Sequence, residues 1–144
     1  MASVGTLYTP EVLALATGLA GWRIDDVWPY RGTARSASCG SSLTVGLATG
    51  GDDRITHIGV SAQACAIGQA SAVIMLRAAV GRSVADIACA ESDIMRWLAG
   101  EGALPDWPGL AVIEPARAFP GRHGAILLCW RAALAALTGI PAGA

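Results

Sequence analysis

Hydrophobic and polar positions change period repeatedly along the chain, and each change marks an element. Thr9-Pro10 precedes EVLALATGLAG, where Val12, Leu13, Leu15, Ala16 and Leu19 recur at helical spacing. Thr9 suits the N-cap, Pro10 the first helical position and Gly21 the stop. Residues 22–38 carry no clear period; Trp28-Pro29 and Gly32 suggest an extended path, with a strand drawn from around 24–37. SLTVGLAT at 42–49 alternates, GGDD at 50–53 is turn chemistry, and RITHIGVSA at 54–62 alternates again. This combination predicts an antiparallel hairpin. After Cys65 the period becomes helical through Ile67, Ala70, Ile74, Leu76 and Ala78, up to Gly81.

Ser83 with Asp86 three residues later predicts a capped helix over 84–99, with Ile87, Ile94, Met95 and Leu98 apolar. GEGALPDWPG at 100–109 reads as a loop, 110–121 as irregular, and Arg122 to Leu137 as a closing helix rich in Ala and Leu. The order is helix, strands, then helices. It predicts an α+β fold: a small three-stranded antiparallel sheet with helices packed on one face. A length of 144 residues suits one domain spanning 1–144 with a core of its own.

Composition narrows the partners. Ten basic residues, every one an arginine, balance eleven acidic ones, and the arginines are scattered. No basic stripe follows a nucleic-acid backbone, so nucleic-acid binding is set aside. No formal charge lies between Arg54 and Arg77, but that span holds Thr56, His57, Ser61, Gln63, Gln69 and Ser71, and its period changes near Cys65. It reads as strand then helix, not as a membrane segment. MASVGTLYTPEV lacks the basic start and apolar block of a signal peptide, and a cytoplasmic location is expected. Four cysteines, Cys39, Cys65, Cys89 and Cys129, are spaced too widely for a close-pair zinc finger or a CxxC motif. A cysteine site would have to be assembled by folding.

Three local patterns align with a known family. They are ARSASCGSSLTVGL, with Cys39-Gly40 just ahead of a strand; ACAIGQASA, with Cys65 at a strand-to-helix junction; and PARAFPGRHGAILLCWRAAL near the C-terminus. With LYTPEVLALA they resemble the iron–sulfur cluster assembly scaffold family of the IscU, SufU and NifU N-terminal type. The last pattern, through Arg117, Phe119-Pro120, Arg122 and Trp130, is most similar to the SufU branch.

The resemblance implies a scaffold that takes sulfur from a cysteine desulfurase and serves apo iron–sulfur client proteins. Its cargo would be an iron–sulfur cluster, or it would carry zinc while relaying sulfur; a sulfur acceptor fits better than a turnover enzyme. The family's ligands are three cysteines and an aspartate. Cys39 and Cys65 match the first two cysteines, Ser41 stands at the aspartate position, and Ala125 stands at the third cysteine after Gly124. Cys39 and Cys65 are therefore the sulfur-acceptor, cofactor and metal candidates. His123, two residues before Ala125, is a further metal candidate, and Arg122 is a contact for an anionic persulfide; Arg117 shares that role. The Leu-Pro-Pro-Val-Lys segment by which some relatives bind a chaperone has no counterpart in LPDWPG.

The residues alone leave alternatives open. Cys65 at a helix start suits a thiolate, which unpaired backbone N–H groups and the helix dipole stabilise, yet a packed junction cysteine fits the same pattern. Two thiolates do not close a tetrahedral site. A homodimer pooling two thiolates from each protomer would supply the four that a [2Fe–2S] cluster needs. The competing readings are a site-degenerate module that binds a desulfurase or client without a cluster, and a reversible Cys39–Cys65 disulfide. Cys129 is expected in the core, Cys89 as a small packing residue on its helix, and His57 on a strand face.

Overall fold

A computed structural model describes residues 7–24, 28–37 and 40–141. Helix α1 spans Pro10–Thr17. Thr9 caps it, its hydroxyl accepting the Val12 N–H at 3.2 Å, with Pro10 at the first position. The α-helix does not run to Gly21; the chain tightens into a 3-10 segment, Gly18–Trp22. Val12 and Ala16 are buried, whereas Leu13, expected on the apolar face, points to solvent at 47% exposure.

The sheet is antiparallel, in the order β1 (Tyr30–Arg35), β2 (Ser42–Thr49) and β3 (Ile55–Gln63). The expected hairpin is present, and the third strand falls inside the irregular stretch. A bulge between Ala48 and Thr49 ends the regular register. Leu43, Val45 and Leu47 of β2 and Ile55, Ile58 and Val60 of β3 enter the core.

Helix α2 (Ala66–Arg77) and helix α4 (His123–Thr138) carry most of that core, with Ile67, Val73, Met75, Ile126, Leu128 and Trp130 fully enclosed. The Ser71 hydroxyl, also buried, donates to the Ile126 carbonyl at 2.7 Å and ties the two helices together. Helix α4 lies against β1 so closely that a Cβ on Gly32 would stand 2.2 Å from the Ala132 carbonyl oxygen. Helix α3 (Val84–Leu98) opens with the anticipated capping box: Ser83 Oγ accepts the Asp86 N–H, and the Asp86 carboxylate accepts the Ser83 N–H.

Two expectations are corrected on α3. Cys89 is exposed on the solvent side, because the buried stripe runs through Ile87, Ile94, Trp97 and Leu98. Met95 is also exposed, its sulfur receiving an Arg131 N–H at 3.7 Å. The stretch 110–121 is regular rather than irregular: Leu110–Ala118 forms a 3-10 helix despite Pro115, and Pro120–Arg122 forms another. Leu110, Ile113 and Ala116 bury its inner side.

On the far face of the sheet, Gly46 and Gly59 are register partners on β2 and β3. The absence of side chains there makes a slot in which Ile24 and Trp28 lie. His57 sits on the exposed part of this face, its ring 6.1 Å from that of Trp28. Among the described residues, no helix is long and apolar enough to cross a membrane.

Candidate functional site

The strand register determines where the candidate residues gather. Arg35 pairs with Ser42 and Ser42 pairs with Gln63. The β1–β2 connection and the strand-to-helix junction at 64–65 therefore leave the sheet at the same end. Cys39 lies outside the described residues. Its described surroundings close a short connection: the Ser36 N–H donates to the Ser41 carbonyl at 2.8 Å, and the Gly40 N–H donates to the Ser36 carbonyl at 3.0 Å. Gly40 has φ +68°, the left-handed region open to a residue without Cβ. Ser41, at the family's aspartate position, is buried at 4% exposure.

Cys65 is the N-cap residue of α2, extended at φ −64° and ψ 167°. Its thiol makes no capping bond and is half-buried against the core. A serine or aspartate at such a position would accept an N–H from the first turn. Cys65 offers a sulfur there instead, and it takes no such bond. The junction is held by Gln69, whose side-chain amide donates to the Ala64 carbonyl at 2.8 Å while its backbone N–H bonds the Cys65 carbonyl at 2.9 Å. Sequence reasoning missed this clamp; its only sequence signal is a long amide side chain in the first turn after the N-cap.

Ala125 comes to the same helix turn. A Cβ placed on Gly68 would stand 3.4 Å from the Ala125 Cβ. Ala125 is 1% exposed, so the first turns of α2 and α4 are packed together at this end. The first turn of α2, capped by Cys65, thus packs on the first turn of α4, where Ala125 carries only a methyl group.

His123 begins α4 and is half-buried. Its Nε2 lies 2.8 Å from the Arg117 carbonyl oxygen. A carbonyl only accepts, so Nε2 carries the proton, leaving Nδ1 as the nitrogen with a lone pair for a metal. Arg122 is half-buried and donates from Nη2 to the Tyr8 hydroxyl oxygen at 3.4 Å. Arg117 points elsewhere, with Nη2 3.5 Å from where a Cβ on Gly100 would stand, at the end of α3. Cys129 is fully buried one turn beyond Ala125, and burial pushes its thiol well above the ordinary cysteine range. It is a core residue, as the helix spacing predicts. Among the described residues, no group of three or more His, Cys, Asp or Glu side chains is arranged to hold a metal ion.

No family model and no curated protein sequence matches the chain. Solved structures do. The N-terminal part of a nitrogen-fixing NifU-like protein from Brucella abortus superimposes with a TM-score of 0.84 and 28% identity, covering 95% of this chain and 96% of that one. A protein described as an iron–sulfur cluster assembly scaffold for the SUF system, from Fervidobacterium islandicum, gives a TM-score of 0.80 at 20% identity, over 94% and 99% of the two chains. The second likeness concerns the fold. The chain thus has the NifU/SufU scaffold fold over nearly its whole length, and it resembles the iron–sulfur cluster assembly scaffolds that its Cys39, Cys65 and Arg117–Trp130 patterns suggest.

Proposed function

We propose that the chain is a divergent iron–sulfur assembly scaffold whose working groups are the Cys39 and Cys65 thiolates. The observation that supports this most is Cys65 itself, a half-buried N-cap residue at the strand-to-helix junction whose side chain takes no capping bond. In the sulfur-accepting step, the Cys65 thiolate attacks the outer sulfur of a desulfurase persulfide. The S–S bond of the donor breaks, the desulfurase cysteine leaves as a thiolate, and Cys65 becomes the persulfide. Arg122 is the cation that receives the new anion. With iron as cargo, Cys39 and Cys65 of each of two protomers supply the four thiolates that a [2Fe–2S] cluster needs, and in a single protomer His123 Nδ1 is the third donor beside the two thiolates. Zinc bound by the same donors is the variant without a cluster. The partners are a cysteine desulfurase and apo iron–sulfur proteins, and the unit is a single domain over 1–144.

Anaerobic reconstitution with iron and sulfide tests this, with Cys39→Ala and Cys65→Ala alongside. Visible absorbance and bound iron that vanish in both variants support cargo binding; neither signal in the wild type removes it. Persulfide transfer from a desulfurase, followed by mass spectrometry of the Cys65 peptide, tests the acceptor step separately.

A second reading has its own support in Ser41 and Ala125, both buried and neither able to add a thiolate or carboxylate. In that reading the chain keeps the fold as a module that binds a desulfurase or client without a cluster. A pulldown that retains its partner when both cysteines are alanine favours it.

A further inference from the structure

A groove of about 610 Å³ separates the free edge of β3 from the 3-10 segment that follows α1. Leu19 and Ala20 form one wall, Val60, Ser61 and Ala62 the other, and Gln69 closes the end nearest Cys65. Arg23 reaches into it. Among the described residues its side chain makes no ion pair or hydrogen bond, and no described acidic residue lines the groove. Its described lining is therefore mixed, apolar at Leu19, Ala20, Val60 and Ala62 and polar at Ser61 and Gln69, with Arg23 as the charged side chain.

The same edge already accepts an extended backbone. The sheet order leaves the side of β3 away from β2 open. Arg23, extended at φ −62° and ψ 140°, forms an isolated parallel bridge there with Val60. Among the described residues no strand continues this pairing along Ser61–Gln63, so the ladder stops after one rung. An unpaired strand edge beside a groove takes an extended peptide by adding it to the sheet, main-chain bonds giving affinity and side-chain pockets giving selectivity. We propose that this groove binds an extended peptide segment of a partner protein carrying a carboxylate side chain, which pairs with β3 at Ser61–Gln63 and sets its carboxylate on Arg23. Because Gln69 both closes the groove and clamps Ala64, a segment bound there lies beside the junction that carries Cys65.

The test uses the full chain, ¹⁵N-labelled, and needs neither metal nor sulfur, so its outcome is separate from that of the scaffold reading. The probes are the blocked peptide acetyl-Thr-Val-Glu-Val-Thr-amide, its Lys-centred counterpart, and a version methylated on alternate backbone nitrogens. The expected result is shift changes confined to 17–24, 60–63 and Gln69, with the Glu peptide tighter than the Lys peptide. Arg23→Ala weakens the Glu peptide by about two- to fivefold, the scale of one exposed ion pair. Arg23→Glu, with the spectrum otherwise retained, reverses the preference, and the methylated peptide does not bind. The proposal is overturned by no shifts at peptide concentrations up to about 5 mM, a weak-binding range. Shifts elsewhere, or equal binding of the methylated peptide, also overturn it. Groove signals that move with protein concentration alone would assign the groove to a second copy of the chain and overturn it too.

Discussion

Gly46 and Gly59 face each other across β2 and β3, and the rings and backbone above them fill the space that two side chains would take. A Cβ on Gly59 would stand 2.5 Å from both the Arg23 carbonyl oxygen and the Trp28 ring. The Trp28 ring can shift, but the Arg23 backbone is held by its bridge to Val60. Gly59→Ala is expected to cost about 1–3 kcal/mol through overpacking. Urea denaturation reads this as a lower midpoint at unchanged slope.

Gly32→Ala belongs to the same class but meets only backbone, with Ala132 O and Ala136 N at 2.2 and 2.3 Å from the new carbon. Neither atom can rotate away, so α4 must lift from β1. The loss is expected at or above the upper end of about 1–3 kcal/mol. Thermal unfolding of the variant beside Gly59→Ala checks the order.

Ala125→Cys combined with Ser41→Asp restores the family's donor types at the positions where this chain lacks them. Metal analysis after purification with zinc or iron is expected to show several-fold more metal per protomer than the wild type. Adding Cys65→Ala to the pair removes the gain if the restored donors act together with Cys65, whose helix packs its first turn on that of Ala125. If the restored pair holds no more metal than the wild type, the site's geometry has diverged along with its ligands.

The three described cysteines differ in access. Iodoacetamide at neutral pH is expected to label Cys89 readily and Cys129 only after denaturation, since burial both shields the Cys129 thiol and keeps it protonated. Peptide mass spectrometry of native and urea-treated samples separates them.

Asp86 links stability to acid. The Ser83 backbone N–H bond, first among the causes, holds its carboxyl below the ordinary aspartate value of 3.8. A group whose folded value is depressed stabilises the protein above its unfolded value and stops doing so as pH falls through the folded one. Lowering pH from 5 through 3 is therefore expected to destabilise the wild type more than Asp86→Asn. Parallel denaturation series at the two ends of that window compare the slopes.

Much of the fold was legible because its signals are local. Thr9-Pro10, the GGDD turn and the Ser83–Asp86 box each act within a few residues, and each forms as its chemistry predicts. Cys89 was misplaced because an apolar stripe on a short amphipathic helix leaves its phase open by one position. Leu110–Ala118 looked irregular because Pro115 argues against an α-helix, whereas a 3-10 segment whose buried side is spaced three residues apart accommodates it. The slot under Trp28 could not be read at all, since it depends on two glycines brought opposite by register. At the site, Cys65 was legible from its junction, while the clamp by Gln69 and the packing of Ala125 on Gly68 needed three dimensions.

The buried bond from Ser71 to Ile126 has a mechanical consequence. Parting α2 from α4 would strand a hydroxyl and a carbonyl without water, so these helices behave as one stiff wall on the side of Cys65 and Ala125. The β1–β2 connection, which leaves the sheet at this same end, is itself tied by two backbone bonds around Gly40, so neither flank of the Cys65 junction is slack.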